Sequence, residues 1–226
     1  MFKQVVGKSN TLLKNSSCNK ILLGSTPRTT RGFSSLQDCI LKLPDPTTNS
    51  SGTAILSFNR QQQRNALGVN MVNELLSCLE FIKFNHTEQG IRCLVINSAV
   101  KGTFCAGADL KERSQMTQTQ TSQFVTKLRS LMNDIENLPI PTIAAINGYC
   151  LGGGMELSLA CDFRVGVRNK DVEVEKLAPY YGLVETALAI IPGAGGTQRL
   201  PRLIGIPKAK ELIYTAKKRS LNSIGI

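Results

Sequence analysis

The sequence predicts an α/β fold, in which strands alternate with helices and pair in parallel. Three observations support this prediction. Short buried-strand patterns recur along the chain, amphipathic helical patterns separate them, and proline- or glycine-rich turns mark the boundaries. The 226 residues suit one domain, with or without a tail, and a hydrophobic content of 42% is sufficient for a packed core.

The spacing of apolar residues assigns the elements of the first half. Residues 36–43 and 53–58 flank a turn region rich in Pro, Asp, Asn, Ser and Gly, which predicts a β-hairpin. Apolar residues at helical spacing predict an amphipathic helix over 69–84. A short apolar run then predicts a buried strand over 91–96.

The second half continues the alternation. Residues 119–138 have a helical period, and the prolines at 139 and 141 end that helix. Strand patterns at 142–146 and 162–167 enclose a helical segment at 155–160. This order of elements favours parallel pairing of the strands.

Basic residues are concentrated in the first 33 positions. The net charge is +11, and this segment has many hydroxyl side chains, no acid and six bases: Lys3, Lys8, Lys14, Lys20, Arg28 and Arg31. That composition is typical of a mitochondrial transit peptide, so we predict a transit peptide over 1–33 and import into the matrix. A basic tail without a targeting role is the alternative. The remaining 21 bases and 16 acids leave only +5, which weakens an argument for nucleic acid from charge alone.

Cysteine and histidine usage excludes several kinds of site. The seven cysteines include no C-x-x-C pair, and the single histidine, His86, lies in a polar, loop-like stretch. We therefore expect free thiols, no metal site, and neither Ser-His-Asp nor Cys-His catalysis. No apolar run approaches the roughly 20 residues that span a bilayer, so no membrane-spanning role is predicted.

Two glycine-rich turns are the strongest candidates for a functional site. Residues 104–109 (FCAGAD) and 147–154 (NGYCLGGG) each come after a predicted strand and lead into a helical pattern. Small residues let a ligand approach the backbone, and free N–H groups at a helix start favour negative charge. Two such turns facing each other would make an oxyanion hole, although each alone also fits close packing or a phosphate cradle. Neither the dinucleotide fingerprint nor the P-loop pattern is present in the glycine-rich segments.

Four motifs together resemble the crotonase family, the enoyl-CoA hydratases and isomerases. The first is 104–112 (FCAGADLKE), and the second comprises 141–148 (PTIAAING), 152–156 (GGGME) and 159–162 (LACD). The third comprises 182–185 (GLVE) and 190–202 (IIPGAGGTQRLPR). A shorter upstream signature has Asn59-Arg60 and 65–67 (NAL), with Gln61 where the family usually has proline. Residues 110–113 (LKER) and 183–186 (LVET) are most similar to the methylglutaconyl-CoA hydratase branch.

The resemblance implies a spiral of ββα units that binds CoA thioesters without a further cofactor and assembles as a homotrimer or a dimer of trimers. By position, the oxyanion donors fall on the N–H groups of Ala108 and Gly153, and the acid and base on Glu156 and Glu185. The substrate would be bound, mostly through backbone atoms, by Ala106, Ala108, Asp109, Leu110, Lys111 and Gly153.

The resemblance, together with these residues, implies a hydro-lyase that adds water across the double bond of a 2-enoyl-CoA. The substrate would be methylglutaconyl-CoA in leucine degradation or an enoyl-CoA of fatty acid β-oxidation. Glu156 would activate the water, and Glu185 would supply the proton to Cα. The alternatives are a helix-start carboxylate for Glu156 and an ordinary surface acid for Glu185. Family isomerases keep only the second carboxylate, so the presence of both favours a hydratase.

Two departures from the family pattern leave other functions open. An extra segment occupies 168–181, and the sequence stops at Ile226, where family members continue in helices. We therefore expect residues 34–226 to form a catalytic core that lacks the C-terminal helical region. One alternative is an RNA-binding homologue, although residues 78–92 contain only Lys83 and Arg92 as bases. The other is a non-catalytic, truncated subunit.

Overall fold

The structure is a computed structural model that describes residues 36–45, 52–166 and 180–220. The predicted transit peptide and residues 168–179 of the extra segment lie outside the described residues. The described residues form two sheets with helices packed around them, which confirms the α/β prediction.

The larger sheet has five strands in the order β1-β2-β3-β5-β7. Its first pair is antiparallel, and the remaining pairs are parallel. The strands are β1 (Cys39–Lys42), β2 (Thr53–Phe58), β3 (Cys93–Ser98), β5 (Thr142–Ile146) and β7 (Phe163–Gly166).

The smaller sheet has four strands in the order β4-β6-β8-β9. Its first two pairs are parallel, and the last is antiparallel. The strands are β4 (Thr103–Cys105), β6 (Tyr149–Leu151), β8 (Tyr180–Gly182) and β9 (Arg219–Ser220).

The helices follow pairs of strands along the chain. They are α1 (Val69–Asn85), α2 (Leu110–Ser114), α3 (Gln118–Glu136), α4 (Gly153–Ala160), α5 (Gly196–Ile204) and α6 (Ile206–Tyr214), with a short 3-10 helix at Glu185–Leu188. Each of the consecutive pairs β3–β4, β5–β6 and β7–β8 gives one strand to each sheet before the chain enters helical structure. The fold is therefore a succession of ββα units.

The predicted hairpin and helices agree with the structure within a few residues. Antiparallel pairing of Cys39 with Phe58 forms the hairpin, and the strand predicted over 142–146 has those bounds. The smaller sheet was not predicted. Strands β4, β6 and β8 have three residues each, which is too short for an alternating pattern to be recognised. The first glycine-rich segment, 104–109, therefore overlaps β4, and the second, 147–154, follows β5 as predicted but also contains β6.

A close backbone contact between Gly148 and Gly102 fixes how two successive ββα units stack. Tyr149 N–H donates to the Gly102 carbonyl at 3.1 Å, where the connection from β5 to β6 crosses the connection from β3 to β4. A Cβ built on Gly148 would lie 2.0 Å from the Gly102 carbonyl carbon, and Gly148 has a φ of +116°. Only glycine fits this crossing, which sets the position of the second glycine-rich turn relative to the first.

Candidate active site

The two glycine-rich turns lie against each other. A Cβ built on Gly107 would lie 3.5 Å from the nitrogen of Gly153, and one built on Gly153 would lie 3.6 Å from the nitrogen of Ala108. Gly107 has a φ of +104° and Gly152 a φ of +52°, a left-handed region that glycine enters without strain. The turns after β4 and β6 therefore bring the N–H groups of Ala108 and Gly153 to one place.

The part of the fold that the structure describes does not use these two N–H groups. Around them, Leu67 N–H donates to Gly107 O at 2.7 Å, and Gly152 N–H donates to Gly182 O at 2.8 Å. In the described part of the chain, neither Ala108 N–H nor Gly153 N–H has an acceptor. Gly153 is the first residue of α4, where helix geometry leaves the N–H free and the helix dipole favours negative charge. The pair can accept a partly negative oxygen.

An ion-pair network anchors the first turn. Arg60 Nη1 lies 2.8 Å from Asp109 Oδ2, and Arg60 Nη2 lies 2.7 Å from Glu112 Oε1. Asp109 also caps α2 by accepting hydrogen bonds from the N–H groups of Lys111 and Glu112. Burial alone would raise the pKa of Asp109, but hydrogen bonds from the Glu112 N–H and the Arg60 guanidinium outweigh it, so the pKa is lowered. Asp109 is therefore ionised and its side chain is committed to the fold.

Asn65 connects the upstream signature to the same turn. It is fully buried, with a φ of +56°, and its side chain accepts from Arg60 N–H at 2.9 Å. Its amide donates to Ser98 Oγ at 2.8 Å and to Phe104 O at 3.0 Å. The asparagine thus satisfies backbone groups that β4 leaves free next to the first turn.

The Glu156 carboxylate lies inside the protein. All residues of α4 are buried, and Glu156 is 3% exposed. Its Oε1 accepts hydrogen bonds from the N–H groups of Ala194 and Gly196, both at 2.8 Å. Burial raises the pKa of Glu156, and these N–H groups together with the charges of Arg199 and Arg129 limit the rise.

Two arginines hold the loop that contacts Glu156. Arg129 Nε donates to Gly193 O at 2.6 Å, and Arg199 Nη1 donates to Ala194 O at 3.2 Å. Arg199 is itself buried and pairs with Glu136 Oε2 at 2.6 Å. The loop is therefore tied to α3 through Gly193 and to α5 through Ala194, next to the N–H groups that it offers to Glu156.

Glu185 begins the 3-10 helix and is 8% exposed. A Cβ built on Gly152 would lie 3.3 Å from Glu185 Oε1, which places this carboxyl beside the second turn. Its Oε2 is buried and has no hydrogen-bond partner among the described residues. Burial and then the charge of Glu156 raise the pKa of Glu185 to about 7. A carboxyl of this kind can hold a proton near neutral pH and release it.

The predicted substrate-binding residues fall into two groups. Ala106, in the turn after β4, and Leu110 and Lys111, at the start of α2, are exposed. Asp109 and Gly153 are buried, and Ala108 is half-buried. Sequence reasoning assigned no role to Arg129 or Arg199. Arg199 is part of the third motif, but Arg129 lies inside an ordinary amphipathic helix and had no signal.

Neither a metal site nor a membrane-spanning helix is found among the described residues. Across the described ranges, no group of three His, Cys, Asp or Glu side chains could hold a metal ion. Among the same residues, every helix is too short or too polar to cross a membrane. A separate pocket of about 270 Å³ between α4, β7 and α5 is lined by none of the predicted site residues.

The chain is similar to known proteins over most of its length. A family model described as enoyl-CoA hydratase/isomerase matches residues 48–223. The mouse protein named methylglutaconyl-CoA hydratase, mitochondrial, is 46% identical over 196 residues, which cover 86% of this chain and 58% of that protein. The human protein named enoyl-CoA hydratase domain-containing protein 2, mitochondrial, is 47% identical over 189 residues, which cover 84% of this chain and 59% of that protein.

A solved structure is similar to this chain in fold and in sequence. The crystal structure of enoyl-CoA hydratase from Bacillus anthracis aligns with a TM-score of 0.72 and 45% identity, covering 82% of this chain and 66% of that chain. This chain therefore spans a little under three fifths of the length of the two named mitochondrial relatives. The matches confirm the resemblance of the four motifs, and the chain belongs to the enoyl-CoA hydratase/isomerase family.

Proposed function

We propose that this protein is a hydro-lyase that adds water across the double bond of a 2-enoyl-CoA thioester. The observation that carries the proposal is the convergence of two unused N–H groups, at Ala108 and Gly153, beside two buried glutamates. Relatives named as hydratases support the reaction class. They give no support to the RNA-binding alternative.

The proposed roles follow from the charge that the reaction develops. Ala108 N–H and Gly153 N–H hydrogen-bond the thioester oxygen, which becomes negative as water adds. Ionised Glu156 takes a proton from a water molecule while the oxygen of that water bonds to Cβ. The π electrons of the double bond move toward the thioester oxygen. Protonated Glu185 then gives its proton to Cα as the enolate collapses. Proton exchange with solvent restores both carboxyls.

The environments of the two glutamates fit these different roles. Glu156 accepts two N–H hydrogen bonds, which favour the ionised form that a base needs. Glu185 has an unpaired oxygen and a pKa of about 7, which favours the protonated form that an acid needs. Burial raises the pKa of both carboxyls, and the two N–H hydrogen bonds limit the rise at Glu156. Unequal environments of this kind are a general feature of acid–base pairs.

The acyl group is part of the proposal. The name of the mouse relative supports methylglutaconyl-CoA, an intermediate of leucine degradation, and the wider family supports an enoyl-CoA of fatty acid β-oxidation. Both substrates have a conjugated thioester whose ultraviolet absorbance disappears on hydration. Parallel assays with each one distinguish the two, and the larger kcat/KM identifies the physiological class.

The decisive test is hydration by the purified chain. We expect absorbance of a 2-enoyl-CoA to fall in proportion to enzyme, and the Glu156→Gln variant to be nearly inactive. A variant at Glu88, in the loop after α1 and away from the site, serves as the control that retains activity. Absence of hydration by both this chain and a version extended with a relative's C-terminal region would overturn the proposal.

Assembly and location extend the proposal. Relatives that match this chain are named as mitochondrial, and the acid-free segment 1–33 supports import into the matrix. Family membership supports a homotrimer or a dimer of trimers. Exposed apolar side chains on β7, α5 and α6 offer surface that such an assembly could bury: Phe163, Val165, Leu203 and Ile206. Import into isolated mitochondria and sedimentation of the purified protein test the two statements separately.

A further inference from the structure

Arg129 touches the active-site carboxylate indirectly, through a single peptide group. Arg129 Nε donates to the Gly193 carbonyl oxygen at 2.6 Å. That carbonyl belongs to the same peptide unit as the Ala194 N–H, which donates to Glu156 Oε1 at 2.8 Å. The three groups therefore form a continuous chain from a guanidinium, through one peptide, to a buried carboxylate.

Hydrogen bonds in such a chain strengthen one another. A cation at the carbonyl draws electron density from the peptide and makes its N–H a stronger donor. Glu156 is 3% exposed, so little water competes for its Oε1. The effect of Arg129 reaches Glu156 as a stronger hydrogen bond and as direct charge attraction.

Because Arg129 is exposed, it can be replaced without removing a buried part of the fold. Arg129 lies on an exposed stretch of α3, whereas Arg199, which ties down the neighbouring carbonyl of Ala194, is buried and paired with Glu136. Replacing Arg199 would leave buried polar groups unpaired and would destabilise the fold. Replacing Arg129 removes mainly its contact with the loop.

We propose that Arg129 is a positioning residue that keeps Glu156 ionised and oriented through the Gly193–Ala194 peptide. This proposal deepens the proposed function, since it concerns the base of that reaction. Arg199 of α5 also favours ionisation of Glu156, whereas burial opposes it, and the charge of Glu156 in turn raises the pKa of the facing Glu185 of the 3-10 helix. Loss of Arg129 shifts this balance toward the protonated carboxyl, which is inactive as a base.

The test is a titration of Glu156 that does not require turnover. In protein labelled with ¹³C at the glutamate carboxyls, the Glu156 resonance is assigned by its absence from the Glu156→Gln spectrum. We expect Arg129→Gln to raise the apparent pKa of Glu156 by about 0.5 to 1 unit, because an opposite charge is lost at a partly exposed position. Arg129→Lys keeps the charge and should restore most of the wild-type value.

Lys127→Gln is the matched control. Lys127 is an exposed base two residues away on α3 and its ammonium contacts Asn73 of α1, so its removal changes the net charge equally without touching the loop. We expect it to leave the Glu156 titration unchanged. Identical titration curves for wild type and Arg129→Gln would overturn the proposal, as would an equal shift in Lys127→Gln.

Kinetics give an independent readout once hydration has been established. Arg129→Gln should lower kcat several-fold below neutral pH, leave KM nearly unchanged, and move the acidic limb of the kcat profile to higher pH. A wild-type chain that hydrates nothing would contradict the proposed function and leave the titration to decide the role of Arg129. A raised KM with an unmoved acidic limb would contradict the role of Arg129 and leave the proposed function intact.

Discussion

Glu156 and Glu185 are neighbouring buried carboxyls whose hydrogen bonding differs. Oε1 of Glu156 accepts two N–H hydrogen bonds of 2.8 Å, whereas Oε2 of Glu185 has no partner within the described ranges. Because the charge of Glu156 also raises the pKa of Glu185, ionisation of one opposes ionisation of the other. This asymmetry underlies the separate roles proposed for the two residues and leads to the first two predictions.

Removal of the base should abolish most of the hydration rate. We expect Glu156→Gln to lower kcat by about 10²- to 10⁴-fold while KM changes little, because a general base contributes this much and the amide keeps the shape of the side chain. Steady-state kinetics on a 2-enoyl-CoA measure both constants. A loss of less than about tenfold would remove Glu156 from the role of base.

The raised pKa of Glu185 should make stability depend on pH. Its pKa is about 7 in the folded protein against 4.5 for a free carboxyl, so between these values the unfolded chain loses the proton first. The stabilising contribution of this carboxyl is thus complete below pH 4.5 and is lost as pH rises through about 7. Relative to Glu185→Gln, wild type should lose up to about 3 kcal/mol over this range.

Urea unfolding at several pH values measures this difference. At each pH the reference is the glutamine variant, whose residue 185 does not titrate, so contributions from groups that do not interact with Glu185 cancel. A difference between the two proteins that stays constant from pH 4.5 to 7 would mean that Glu185 titrates normally in the folded state.

The crossing at Gly148 should tolerate no side chain. A Cβ there would lie 2.0 Å from the Gly102 backbone, so we expect Gly148→Ala to destabilise the fold by about 3 kcal/mol or more. Gly102→Ala is the matched control, because Gly102 also has a positive φ of +73° but nothing lies within 4 Å of its built Cβ. The control should cost only about 1 kcal/mol of backbone strain. Equal losses in thermal or urea unfolding would show that the crossing is not tight.

The ion pair between Arg60 and Asp109 should stabilise the first glycine-rich turn. Their side chains are 13% and 8% exposed, so Arg60→Met should cost about 2 to 4 kcal/mol by leaving a buried carboxylate without its cation. Asp109→Asn in the Arg60→Met background should cost much less than in wild type. A double-mutant cycle by urea unfolding measures the coupling, and simple additivity of the two losses would contradict a direct interaction.

Long, strongly periodic elements of this fold could be predicted from the sequence, and short ones could not. The helices α1 and α3 have enough turns for an apolar stripe to be recognised, and β5 alternates buried and half-buried residues. Strands β4, β6 and β8 depend on neighbours that are distant in the sequence, so three residues carry no local signal. The second sheet therefore became visible only in three dimensions.

Part of the candidate site could also be predicted from the sequence, and part could not. Glycine-rich turns and glutamates are readable because a ligand must approach the backbone closely and because the motifs have a fixed spacing. Arg129 has no such signal, since an arginine on an exposed helix face is ordinary. Its role depends on a contact with Gly193, which lies 64 residues further along the chain.

Polarisation of the thioester carbonyl by Ala108 and Gly153 is tested most directly by infrared spectroscopy. A slowly reacting conjugated acyl-CoA with ¹³C at its carbonyl, bound at saturating protein, gives an isotope-edited difference spectrum. Two hydrogen bonds from these N–H groups should move the carbonyl stretch to clearly lower wavenumber than in buffer. A bound ligand whose carbonyl band stays at its solution position would contradict the account.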